Sequence, residues 1–156
     1  MTGKRILLIA TLVYLLAWPL PSLVVTFTAF GGPTTEVIRG WEATRWALSP
    51  LWPDGRHFGA SWLHTLLIVA SGLSNLLFVV VAWLAWRRPL QVPRSLGWAV
   101  WGATLVDLHW LVFAGAGVSN LRIGYYLWVS SFALLALALA RLQREGPSAS
   151  SSKPAA

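Results

Sequence analysis

The sequence predicts an all-α membrane protein, a transmembrane four-helix bundle with both termini on the cytoplasmic side and one external loop. Three observations lead there. The run from Trp62 to Trp86 holds no charged residue and stops at Arg87-Arg88-Pro89. As a helix it would extend ~37 Å, enough to cross a hydrocarbon core of ~30 Å. Only 11% of the residues are charged while 56% are hydrophobic, against about 25% charged in soluble domains. That leaves too few polar side chains to cover a water-soluble globule. Finally, the other apolar runs are bordered by arginine, lysine or turn-forming residues, as helices ending at a membrane surface would be.

In chain order, Met1–Arg5 is a short basic start and Ile6–Phe30 reads as the first span. Its outer half carries Trp18-Pro19-Leu20-Pro21, and each proline removes a backbone donor, so a kink is expected there. The apolar run is longer than a signal-peptide core and no A-x-A site follows, so it is read as a retained span. Residues 31–61 form the external loop. Within it Thr34–Leu48 has Val37, Ile38, Trp41, Arg45 and Leu48 at near-helical spacing, which suits either a short amphipathic surface helix or an irregular loop. The second span is 62–86, followed by a basic loop with Pro89 and Pro93. The third span covers 96–115 and the fourth 123–142, closed by Arg141 and Arg144. Residues 1–145 thus make a single transmembrane domain. The tail 146–156, small and rich in serine and proline, cannot bury enough apolar area to offset its ordering and is expected to be disordered.

Orientation follows from the basic residues. Lys4, Arg5, Arg87, Arg88, Arg94, Arg141, Arg144 and Lys153 fall on one side of this scheme. On the other, Arg39, Arg45 and Arg56 sit beside Glu36, Glu42 and Asp54, with Arg122 further along. The positive-inside rule then places both termini in the cytoplasm. The net charge of +7 is spread beside apolar runs and forms no separate basic face, which argues against nucleic acid as a partner. With no cysteine, disulfides, thiolate chemistry and cysteine-bound zinc are excluded. No P-loop, GxSxG or GxGxxG is present, so enzyme chemistry has little support.

Polar residues inside the spans are the candidate site. Asp107 is the single acid within a span and falls near the bilayer middle; a charge there is costly enough to require a reason. On the second helix, His64, Ser71 and Asn75 share one face. Antiparallel packing would bring Ser71 level with Asp107, so a hydrogen bond from Ser71 or His64 to that acid is expected. His109 lies two residues beyond Asp107, nearly opposite on a continuous helix. The leading reading of this cluster is interhelical bonding, and the alternative is a proton or ligand site built on Asp107. Haem or quinone binding through His64 and His109 is a further alternative. It is disfavoured because a continuous third helix places the two histidines ~8 Å apart in depth. A metal site from His57, His64, His109 and Asp107 lacks close ligand spacing. No cofactor is therefore expected. The 11 tryptophans fall mostly at span ends, as an interfacial belt would. Ser130, Ala133, Ala136 and Ala140 give the fourth helix a small-residue face suited to close packing, within the bundle or against a membrane-protein partner or a second copy.

Three stretches carry a resemblance: Gly40-Trp41-Glu42-Ala43, Ser71-Gly72-Leu73-Ser74-Asn75 and Gly124-Tyr125-Tyr126-Leu127-Trp128-Val129-Ser130. They are similar to the GWE-A, SxxSN and GYYLWxxS signatures of a functionally unassigned family of small four-span bacterial membrane proteins. The resemblance implies a multi-pass protein of a bacterial cytoplasmic membrane and no particular chemistry. The expected function is that of a non-enzymatic accessory or interaction subunit in the lipid bilayer. A small proton-linked carrier using Asp107, or a haem or quinone protein using His64 and His109, are the alternatives.

Overall fold

Helix formation starts at Gly3 and ends where proline forbids it. The computed structural model describes residues 2–29, 32–52, 61–113 and 120–145; the expected disordered tail and His57 lie outside them. Helix α1 is Gly3–Ala17, and Pro19 and Pro21 lie just beyond it, unable to supply the donors that another turn needs. From Pro21 the chain is extended. Strand β1, Pro21–Ala29, pairs antiparallel with β2, Gly32–Arg39, with Val24 opposite Val37 and Thr26 opposite Thr35. Valine and threonine suit a pleated strand better than a helix because their branched Cβ is stiff. Gly32 takes φ 131° at the turn, a conformation open to glycine.

The expected helical span 6–30 is therefore corrected to a helix followed by a strand. At 15 residues, α1 is only ~22 Å long, short of a hydrocarbon core. The external loop 31–61 is likewise corrected: it holds β2, helix α2 (Gly40–Leu48) and a single 3-10 turn at Ser49–Leu51. Glu42 caps α2 by accepting the Arg39 N–H at 2.8 Å, a carboxylate placed against the free amides of a helix start. Of the surface helix expected over 34–48, the second half is helix and the first half strand.

Helix α3, Trp62–Arg87, matches the expected second span, and Ser61 accepts the His64 N–H at its start. After a 3-10 turn at Pro89–Gln91 comes α4, Arg94–Asp107. The third span was expected to continue unbroken to 115, but the helix breaks at Leu108 and restarts as α5, His109–Phe113. Tyr125 donates its hydroxyl to Asp107 O at 2.9 Å, and the Leu111 N–H, which would take that oxygen in a continuous helix, bonds Leu108 O instead. Helix α6, Ile123–Glu145, covers the expected fourth span and nearly one more turn.

The helices alternate in direction. Helix α1 runs antiparallel to α6: the Gly3 N–H meets Glu145 Oε1 at 2.9 Å at one end, and Tyr14 meets Phe132 near the other. Asn75 lies opposite Trp128 and Phe78 opposite Phe132, so α3 and α6 are parallel. Ser74 opposite Asp107 and Ser71 opposite Trp110 make α4 and α5 antiparallel to α3. The centre of the core is aromatic, with Tyr14 stacked on Phe78 at 4.0 Å and 9°. Around it Leu7, Val81, Val100, Leu135 and Leu139 are wholly buried. The hairpin is fastened to the α6 entry by a Leu23–Leu121 bridge and the Arg122 N–H on Ser22 O.

The result is a mostly helical protein in which α3 and α6 are long and apolar enough to cross a membrane. The all-α four-helix bundle is replaced by a helical core capped at one end by a two-stranded hairpin and α2. Large apolar side chains point outward, among them Leu76, Leu105, Val112 and Trp98.

Candidate functional site

The site is built on one face of α3. Ser71, Ser74 and Asn75 occur at i, i+3 and i+4, so they stand together on that face, and all three are buried. Asn75 is the junction. Its Oδ1 accepts the Tyr14 hydroxyl at 3.0 Å and the Trp128 indole N–H at 2.8 Å. Its Nδ2 donates to Thr44 Oγ1 and Gly72 O, both at 3.3 Å. The indole can only donate, so the amide oxygen must face it, and the amide is oriented without ambiguity. One side chain thereby ties α1, α2 and α6 to α3.

Asp107 lies one helical turn away. It is 0% exposed, and Ser74 Oγ sits 3.1 and 3.2 Å from its two carboxyl oxygens. Ser71 also faces the carboxyl group, while its hydroxyl accepts the Trp110 indole N–H at 3.1 Å. The bond to Asp107 was expected from Ser71 or His64; the side chain that meets both carboxyl oxygens is Ser74, whose hydroxyl also lies 2.7 Å from Ser71 O. His64 instead approaches His109. Their ring centres are 6.3 Å apart at 78°, and His109 Nδ1 bonds Val106 O. The break at Leu108 is what makes this approach geometrically open. The depth mismatch expected for a continuous third helix does not hold once α5 starts afresh. Among the described residues, no group of three or more His, Asp or Glu side chains is placed to hold a metal.

Beside this network is a partly open cavity of about 380 Å³, within the ~300–1,000 Å³ range of ligand pockets. It lies between the hairpin–α2 layer and the Trp62 end of α3. His64, Ser71 and Asn75 of the expected cluster line it; Asp107 and His109 stand behind its wall. The three signature stretches converge here: Gly40 and Ala43 from the first, Ser71, Gly72 and Asn75 from the second, Tyr125 and Trp128 from the third. Several polar groups of this wall are engaged elsewhere: Asn75 on four partners, Ser71 with Trp110, Thr44 with Gly40 O, Tyr125 with Asp107 O and Ser22 with Leu20 O, and the His64 imidazole lines the space beside them. What faces the space is predominantly hydrocarbon and indole.

Sequence reasoning missed Tyr14, Thr44, Ser74, Trp110, Tyr125 and Trp128. Ser74 carried a usable signal, being at i+3 from Ser71 on the same face. The others come from four different elements, and only tertiary packing assembles them. Of the small-residue face, Ala136 is buried in the core, Ala133 and Ala140 are half-buried and Ser130 is exposed.

A stretch of 54 residues is 47% identical to Protein UL27 of human cytomegalovirus strain Merlin and 45% identical to Protein UL27 of strain AD169. The match takes in 35% of this chain and 9% of each viral protein, so the chain spans less than a tenth of the length of these curated relatives. No family model matches the chain. No solved structure matches it.

Proposed function

We propose that this chain is a small non-enzymatic integral protein of a bacterial cytoplasmic membrane, serving as an accessory or interaction subunit. In this reading α3 and α6 cross in the same direction, each ending in arginine on the cytoplasmic side. The chain returns between them through α4 and α5, while α1 inserts beside α6. The hairpin lies toward the outer side, and α2 packs inward along α3 as far as Asn75. The observation that carries the reading is the state of the polar centre. Asp107 is wholly buried against Ser74 and off the cavity wall, and Asn75 spends its capacity on neighbouring helices. Groups placed so are interhelical bonds, with no open position for a passing ion or substrate. The outward-facing leucine, valine and tryptophan side chains support the bilayer as surroundings. Ser130 and Ala133 offer the outward part of the small-residue face to a partner helix.

The test is Asp107→Asn. In proteoliposomes under a proton gradient, wild type and variant should show the same background flux, at equal protein level and melting temperature. Proton or cation flux present in the wild type and lost in the variant would reverse the assignment in favour of the carrier. A second reading, haem binding, is favoured by one distance. Two imidazoles gripping a metal along one axis at ~2 Å each have ring centres ~6 Å apart, and His64 and His109 are separated by 6.3 Å. A visible absorption band that copurifies with the wild type and disappears in His64→Ala would establish it.

A further inference from the structure

We propose that the cavity between the hairpin–α2 layer and α3 is a binding site for one hydrocarbon chain of a bilayer phospholipid. The inference rests on the membrane reading above and adds a ligand to it. The chemistry of the wall selects the occupant. Water enters a cavity when two to four polar groups can hold it. Here the Asn75, Ser71, Thr44, Tyr125 and Ser22 side chains and the Trp128 indole are turned onto other protein groups, with the His64 imidazole at one edge of a mostly apolar wall. A polar headgroup faces the same obstacle, because binding it would require breaking bonds that hold the helices together. Ile68, Leu121, Val25 and Ile38 offer methyl and methylene groups, and Trp18 and Trp46 add broad apolar ring surfaces. An acyl chain asks for nothing else.

The walls also resist collapse. Asn75 joins three helices to α3 at the floor, and the hairpin is held to the α6 entry by the Leu23–Leu121 bridge and the Arg122 N–H on Ser22 O. A packing defect between loosely joined elements would close by sliding; this space is bounded by elements fastened on several sides. Its partly open form leaves it accessible from outside the protein.

The test uses the full chain in phosphatidylcholine vesicles containing phosphatidylcholine with a diazirine midway along one acyl chain. After irradiation, adducts are mapped by peptide mass spectrometry. In the wild type, Ile68 and Leu121 in the cavity should be labelled, together with Leu105 and Val112 on the outer surface. Ala43→Trp, on α2, and Val25→Trp, on β1, each fill the cavity from a different element. Either should reduce labelling of Ile68 and Leu121 about tenfold while Leu105 and Val112 stay unchanged, which also certifies that the variant is inserted and folded. Outer labelling without cavity labelling in the wild type would overturn the inference, as would cavity labelling that neither variant reduces. Absence of labelling at Leu105 and Val112 in the wild type would instead remove the membrane reading itself, and this inference with it.

Discussion

Replacing Asn75 with leucine keeps the approximate shape of the side chain and deletes all four of its hydrogen bonds. The Tyr14 hydroxyl and the Trp128 indole N–H then lose their acceptor inside the packed core. Interhelical bonds in membrane proteins average ~0.6 kcal/mol, and a buried donor left unpaired adds a penalty of about 1–3 kcal/mol. Four such bonds and one such penalty predict a loss of ~3–5 kcal/mol. The assay is reversible unfolding in mixed micelles as the denaturing detergent fraction rises, followed by far-ultraviolet circular dichroism. A double-mutant cycle with Tyr14→Phe sharpens it. Tyr14→Phe alone should cost about 1 kcal/mol, and in the Asn75→Leu background its cost should vanish, because the hydroxyl it removes is already unpaired. Stability unchanged to within ~0.5 kcal/mol in Asn75→Leu, a scatter expected of surface positions, would refute the junction role. Strict additivity of the two substitutions would refute the Tyr14–Asn75 coupling.

Two further outcomes are expected. A Cβ on Gly124 would lie 2.7 Å from Pro21 O and 2.8 Å from Leu20 O, both backbone atoms that cannot swing aside, while a Cβ on Gly102 would meet nothing within 4 Å. Gly124→Ala should therefore cost ~1–3 kcal/mol in thermal melts, and Gly102→Ala should be neutral or stabilise by up to ~1 kcal/mol; equal effects would mean that the hairpin does not dock on the α6 entry. Reporter fusions after Arg88 and after Arg144 should read cytoplasmic and a fusion after Trp52 external, and an external reading at Arg88 would reverse α3 and the proposed topology.

What the sequence determined alone are the properties that depend on short stretches. The extents of α3 and α6 were legible because an uncharged run bounded by tryptophan and arginine is a local signal, set by the cost of burying charge. The polar line on α3 was legible because helical periodicity is also local. The segment Leu23–Ala29 was not. An apolar run of that length is compatible with helix or strand, and periodicity cannot arbitrate between them. Pairing with Gly32–Ile38 across the turn decides it, and pairing is not a property of either segment by itself. The break at Leu108 has the same character. Nothing in Asp107-Leu108-His109 forbids a helix, and at the break Asp107 O accepts a hydroxyl from Tyr125, on another helix. Beyond it α5 starts afresh, with His109 beside His64. Tertiary structure alone decided where Asn75 spends its hydrogen bonds and where an apolar cavity remains, because both depend on side chains that meet only after α1, α2, α3 and α6 have packed.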